Sequence, residues 1–241
     1  MEEGKSMNTL NVDIKKGGYE AGNSLIHNIR FSIASGKILG MIGSNGAGKS
    51  TTIKGMMGLL PFMEGRSDIE NGVSYSYIPE RPVYYDELTL WEHIEFVGSV
   101  ENIPQATYKQ RGEHLLEKYR LIEHAHRFPS TFSKGMQQKG MIVLALLTKP
   151  ELLVIDEPFI GLDPNATKWM LQSLEEERAR GAGVLMCTHV LDTAQRICDE
   201  FVVINQGTML ASGTLEEVLR ECGAEGSSLY DCIPDEEKEK N

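Results

Sequence analysis

Through Ile42 the chain alternates short apolar runs with turn residues: Leu10 to Ile14, then Gly17-Gly18, Leu25 to Ile33, Ser35-Gly36, and Lys37 to Ile42. Runs punctuated in this way predict a strand-rich opening. The last of them leads straight into Gly43-Ser44-Asn45-Gly46-Ala47-Gly48-Lys49-Ser50-Thr51, and Thr52 to Leu60 is compatible with a helix. Between Leu88 and about Leu147 the spacing of apolar positions turns helical. Thr89-Leu90-Trp91-Glu92 has the form of a capping box, in which the Thr hydroxyl takes the amide of Glu92 and the Glu side chain reaches back. A helix is therefore expected to begin near Leu90.

In the second half, Leu152 to Ile155 is a short apolar run of the kind a buried parallel strand shows. Asp163-Pro164 then offers an N-cap and a first-turn proline for a helix ending near Gly181. Val184 to Cys187 and Phe201 to Ile204 read as further buried strands separated by a helix, and this βαβα order argues for a parallel sheet. Thr214-Leu215-Glu216-Glu217 is a second capping box, with Gly223 as the stop. From Ala224 to Asn241 six acids face only Lys238 and Lys240, so residues 224–241 are expected to be a solvated, poorly ordered acidic tail.

Composition narrows the classes. A length of 241 residues predicts one or two domains. With 24 Lys+Arg against 35 Asp+Glu the net charge is -11, and without a concentrated basic patch such a chain repels a phosphate backbone, so no nucleic-acid partner is expected. The longest apolar run, Met141 to Leu147, is far short of the roughly 18 residues that span a bilayer. The opening Met1-Glu2-Glu3-Gly4-Lys5 has no apolar secretory region, which points to the cytosol. Cys187, Cys198, Cys222 and Cys232 are scattered, with no metal-ligand spacing, and read as reduced cytosolic thiols.

The candidate chemistry begins at Gly43-x-x-x-x-Gly48-Lys49-Ser50, a complete P-loop pattern. Its glycines let consecutive amides turn toward one centre, Lys49 can reach the β- and γ-phosphates, and the Ser50 hydroxyl can ligate Mg²⁺. Leu152 to Ile155 ends in Asp156-Glu157. A strand beside the P-loop strand would deliver Asp156 to the Mg²⁺ shell and leave Glu157 to polarise an attacking water. Phe132-Ser133-Lys134-Gly135-Met136 lies just upstream of that strand, Phe159 to Asp163 just after it, and His189 follows the run Val184 to Cys187.

This order and spacing resemble the nucleotide-binding subunit of ATP-binding cassette (ABC) transporters. Gly43 to Thr51 corresponds to Walker A, Phe132 to Met136 to the signature motif, Leu152 to Glu157 to Walker B, Phe159 to Asp163 to the D-loop and His189 to the switch histidine, over roughly Asn8 to Leu219. The resemblance implies an α/β fold: a P-loop NTPase of ABC type with a parallel core sheet, an N-terminal antiparallel β subdomain and an inserted helical subdomain. On that reading residues 1–223 form one ATPase domain, with the helical part at about 81–147. It also implies ATP and Mg²⁺ as ligands, with Glu157, His189 and Lys49 catalytic. Tyr19 would stack on adenine, and Ser133 and Gly135 would bind the γ-phosphate of the opposite subunit in a head-to-tail sandwich. The implied partners are an integral-membrane transporter subunit and a second ABC ATPase subunit, either another copy of this chain or a different cassette; since one chain holds both Glu157 and Ser133, a homodimer would have two complete sites. That places the chain in the cytoplasm, peripheral on the inner face of the cell membrane.

Two motifs depart from the family pattern. Glu80, in Tyr77-Ile78-Pro79-Glu80, stands where Gln is usual; a carboxylate still ligates Mg²⁺ but adds negative charge beside the γ-phosphate. The signature carries Lys134 and Met136 in place of Gly and Gln, and Lys134 brings a positive charge that can partly offset Glu80. Together with Asp86 to His93 and Thr188 to Ala194, these variants resemble the Ecs-type subunit of bacterial exporters. A soluble regulatory or cluster-assembly ABC ATPase without transport stays open at this stage. So does the role of Tyr84, Tyr85, Trp91 and Phe96, which could form a docking groove for the membrane partner or fill a helical core.

Overall fold

The computed structural model describes residues 8–69 and 72–233. In chain order its elements are β1 (Asn8–Gly18), β2 (Ile26–Ala34), β3 (Ile38–Ile42), α1 (Lys49–Met56), β4 (Phe62–Ile69), β5 (Tyr75–Ile78), α2 (Leu90–Val100), α3 (Gln105–Lys118), α4 (Lys134–Leu147) and β6 (Leu152–Asp156). There follow α5 (Pro164–Arg180), β7 (Gly183–Cys187), α6 (Leu191–Ile197), β8 (Glu200–Asn205), β9 (Thr208–Gly213) and α7 (Leu215–Glu221). They fall into two compact units, one of Met1–Val73 with Gly183–Asn241 and one of Ser74–Ala182.

In the first unit the strands run in the order β4-β1-β2-β9-β8-β3-β7. β3 lies parallel between β8 and β7, and all five residues of both β3 and β7 are buried. Strands covered on both faces need this continuous apolar character, which is why the sequence shows runs there and not alternation. β1 pairs antiparallel with both β2 and β4 and places Leu10, Val12 and Ile14 inside. The expected antiparallel opening and parallel core are thus both present.

In the second unit β5 and β6 pair in parallel, Ile78 opposite Ile155. α5 buries Ala166, Met170, Ser173 and Leu174, a single stripe at helical spacing. Asp163 accepts from the amides of Asn165 and Ala166 at 2.9 Å each, Pro164 opens the helix, and Gly181 closes it at φ 101°. Thr89 caps α2 through the expected reciprocal box with Glu92. Helices α2 and α3 approach so closely at Gly98 that a Cβ there would sit 2.4 Å from the Tyr108 ring.

β4, β5 and β9 went beyond the sequence expectation. The segment after Gly223 also departs from a purely solvated tail: a 3₁₀ turn at Leu229–Cys232 buries Leu229 and Cys232. Residues 234–241 of the expected tail lie outside the described residues. No described helix is long and apolar enough to cross a membrane. No disulfide joins the described cysteines.

Candidate functional site

In the first unit β3 and β7 end side by side, Met41 opposite Cys187. The Gly43 to Thr51 loop leaves one carboxyl end and Thr188-His189 leaves the other, the edge at which open α/β sheets bind ligands. Gly43 must be glycine, since a Cβ there would lie 2.2 Å from the Ile204 carbonyl oxygen. Gly46 and Gly48 take left-handed backbone, at φ 81° and 108°, which glycine alone enters at no steric cost. Gly48 then caps α1 without any side chain on the first-turn amides. A helix start of this kind is an anion site, because amides point outward along the positive end of the helix.

Lys49 is only 6% exposed. Its ammonium donates to the carbonyls of Gly43 at 2.8 Å and Ser44 at 3.0 Å, across the mouth of its own loop. Asn45 and Gly46 are exposed, Ala47 is buried, and Ser44, Ser50 and Thr51 are half-buried. Gly207 donates to the Ala47 carbonyl at 2.8 Å and Thr52 Oγ1 to the Gly48 carbonyl at 2.9 Å, so the loop is held at both ends. Tyr19, just past β1, is 46% exposed. Lys54 of α1 donates to its phenol oxygen at 2.9 Å and sits 5.3 Å from the ring centroid. His189 is exposed, and the amide after it, on Val190, donates to buried Thr188 Oγ1 at 3.0 Å.

In the second unit β5 and β6 deliver their carboxyl ends together, so Glu80 and Asp156-Glu157 leave one edge of the strand pair. Glu80 is exposed, while Asp156 and Glu157 are 2% and 8% exposed. Glu157 has φ 54°. An L residue in left-handed backbone carries strain of about 1–3 kcal/mol, and among the described residues Asn28, Asn102, Arg120, Lys149 and Gln206 share this conformation.

Ser133 caps α4, accepting from the Met136 amide at 3.3 Å. Gly135 faces the loop that leads to Asp163: a Cβ on it would come within 2.6 Å of the Gly161 carbonyl oxygen. The segment after Glu80 is fastened to the same helix, Tyr84 donating to the Gln137 carbonyl at 2.5 Å, with Gly140 leaving room for its phenol. Burial raises the Tyr84 phenol well above its ordinary value.

Beside these residues opens a cavity of about 450 Å³, lined among others by Tyr84, Tyr85, His93, Phe96 and Met141. His93 Nε2 accepts from the Tyr85 amide at 3.0 Å, and Nδ1 lies 2.8 Å from the Thr89 carbonyl. The ring thus carries its proton on Nδ1 and pins the Tyr85 backbone. Trp91 is not in this cavity; its ring stands 6.1 Å from that of His126. His93 and Met141 are site-lining residues that the sequence reading missed, and only the helical spacing around Trp91 hinted at them.

A loop of left-handed glycines opening a helix without a side-chain cap, with an enclosed lysine, defines a phosphate-binding class of protein. Within that class the chain belongs to the ABC transporter family, whose model matches residues 26–160. It is 46% identical over 226 residues to an uncharacterized ABC transporter ATP-binding protein, YthP, of Bacillus subtilis, covering 94% of this chain and 95% of that one. Against the ABC-type transporter ATP-binding protein EcsA of the same organism it is 41% identical, over 93% of this chain and 95% of that one. A solved ATP-binding subunit of an ABC transporter superposes with a TM-score of 0.87 at 41% identity, covering 93% and 97%.

Proposed function

We propose that this chain is the ATP-hydrolysing subunit of an ABC exporter, peripheral on the inner face of the cell membrane, working as a homodimer that closes head-to-tail on two ATP molecules and drives a separate membrane subunit. The observation that carries this is the loop of Gly43 to Thr51, whose glycine backbone and enclosed Lys49 suit a polyphosphate. Residues 1–223 act in this reading as one ATPase domain.

ATP would lie with its adenine on Tyr19 and its phosphates against the amides of Gly43 to Thr51. Hydroxyl and carboxylate oxygens are the donors Mg²⁺ prefers, and half-buried Ser50, nearly enclosed Asp156 and exposed Glu80 are of that kind. Bound Mg²⁺ would neutralise charge on the phosphate oxygens. Glu157, held in its strained conformation, orients the attacking water and takes its proton. Lys49 and His189 stabilise charge on the transferred phosphoryl group. Ser133 and the amides around Gly135 offer the partner subunit's ATP a helix start. The cavity lined by Tyr84, Tyr85 and Phe96 receives an apolar segment of the membrane subunit. Export as the direction rests on the Ecs-type resemblance.

The test is ATP-dependent dimerisation of Glu157→Gln by size-exclusion light scattering, with wild-type ATP turnover measured in parallel. A dimer in the variant and turnover in the wild type are expected. A monomer that still binds ATP removes the homodimer, and absent nucleotide binding removes the whole reading.

A further inference from the structure

The second unit holds another cavity, of about 280 Å³, walled by α3, by the end of α4 with Lys149 just beyond it, and by α5. Four cations reach it: Arg111, Lys118, Lys149 and Arg180. The acids on its wall are Glu176 and Glu177, so it carries an excess of two positive charges in a chain whose net charge is -11. Each acid is already engaged. Lys118 pairs with Glu176 at 2.7 Å, and Arg180 pairs with Glu177 through Nε at 3.0 Å. Arg111 spends one donor on the Leu147 carbonyl at 3.3 Å, and a guanidinium has further N–H groups to give. Among the described residues Arg111, Lys149 and His114 have no ion-pair partner.

We propose that this cavity is a binding site for a small phosphate-bearing dianion, a phosphate monoester in size and charge. A single negative charge would leave half of the excess uncompensated, whereas a dianion matches it. Arg and Lys are the residues that take phosphate, one as a planar fork and one as a point charge. Ser173, also on the wall, adds a hydroxyl held 2.9 Å from that of Tyr119. The carbonyl end of α4 would repel an anion if bare, but Arg111 covers the Leu147 carbonyl and Lys149 follows the last turn. The same headgroup chemistry occurs on soluble metabolites and on anionic lipids, and the site recognises what they share.

His114 lines the cavity and gives a local reporter, because the chain has only six histidines. Its side-chain resonance, assigned with His114→Gln, is followed by ¹H–¹⁵N NMR on the full chain during titration with glycerol phosphate. A second arm uses small bicelles of phosphatidic acid in phosphatidylcholine, against phosphatidylcholine alone. A saturable shift of His114 with glycerol phosphate is expected, and a shift only with phosphatidic acid assigns the site to a lipid headgroup. Ligand that settles in the Gly43 to Thr51 loop instead moves His189 and leaves His114 in place. Arg111→Gln and Lys149→Gln, each removing one charged donor, should weaken binding about tenfold or more; Lys149 is exposed, so its variant tests the idea without risk to the fold. No shift of His114 with either ligand, or a shift of undiminished affinity in Lys149→Gln and Arg111→Gln, overturns the proposal.

Discussion

Glu157 offers a test in which backbone and chemistry separate. Its φ of 54° costs an L residue about 1–2 kcal/mol relative to glycine, and the extra unfolded-state freedom of glycine offsets about 0.5–1 kcal/mol of that. Glu157→Ala and Glu157→Gly lose the same carboxylate and the same neighbours beyond Cβ, so their difference isolates the backbone. The glycine variant should lie about 0–1.5 kcal/mol above the alanine variant, which for a chain of this size is up to roughly 3–6 °C in Tm. At an ordinary helix or strand position the order would be reversed. Urea titration and differential scanning calorimetry of the two variants, side by side, provide the number. Both should retain ATP binding and lose about 10²- to 10⁴-fold in turnover, the usual worth of a positioned base. Alanine above glycine by the roughly 0.5–1 kcal/mol of an ordinary position would refute the strained geometry here, and wild-type turnover in either would remove Glu157 from the chemistry.

Three further outcomes are expected. Gly135→Ala drives a Cβ to 2.6 Å from the Gly161 carbonyl oxygen, so urea denaturation should show a loss of about 1–3 kcal/mol, and the ATP-dependent dimer should weaken while ATP binding by the monomer persists; an unchanged unfolding midpoint would contradict the close approach. The Glu92 carboxyl is held below the ordinary glutamate range, first by the Thr89 backbone N–H and then by its hydroxyl. A depressed folded value means that this stabilisation is complete above the unfolded pKa of about 4.3 and is lost as pH falls through the folded one. The stability gap between wild type and Thr89→Ala should therefore be flat from pH 7 to 5 and shrink below about 4, and a gap that grows on acidification would be the wrong sign. Burial, with Asp199 adding to it, pushes the Cys198 thiol up to about 12, so at pH 8 iodoacetamide should modify it far more slowly in the native chain than in urea, as peptide mass mapping would show.

The elements read correctly from the sequence are those whose local chemistry and burial agree. β3 and its glycine loop, the Thr89 and Thr214 capping boxes, and Asp163-Pro164 through Gly181 all state their own boundaries in residues that have few other uses. β4 does not. Its Glu64, Gly65, Arg66 and Asp68 give no apolar alternation, because it is an edge strand, and Gly65 is dictated by the neighbouring strand: a Cβ would stand 2.2 Å from the Asp13 carbonyl oxygen. That requirement is tertiary and leaves no local signature. The same holds at the site. Gly43 to Lys49 is legible because phosphate chemistry needs those residue types in that order. The left-handed turn at Glu157 is not, since nothing in the letters Asp-Glu-Pro reports a φ angle. Tyr84, Tyr85 and Phe96 separate from Trp91 only once α2 is placed, because helical spacing says which residues share a face and not what lies opposite.

The two hydrogen bonds that Lys49 makes to Gly43 and Ser44 set an entry threshold. An arriving anion competes with carbonyls already in place, and its gain is the difference between its own contacts and those it displaces. Orthophosphate, with few oxygens and no base to anchor it, gains little from that exchange, whereas a nucleotide triphosphate brings several phosphate contacts and an adenine at once. Contacts within the loop itself thus set a minimum number of phosphate groups that a ligand needs before displacing them is worthwhile.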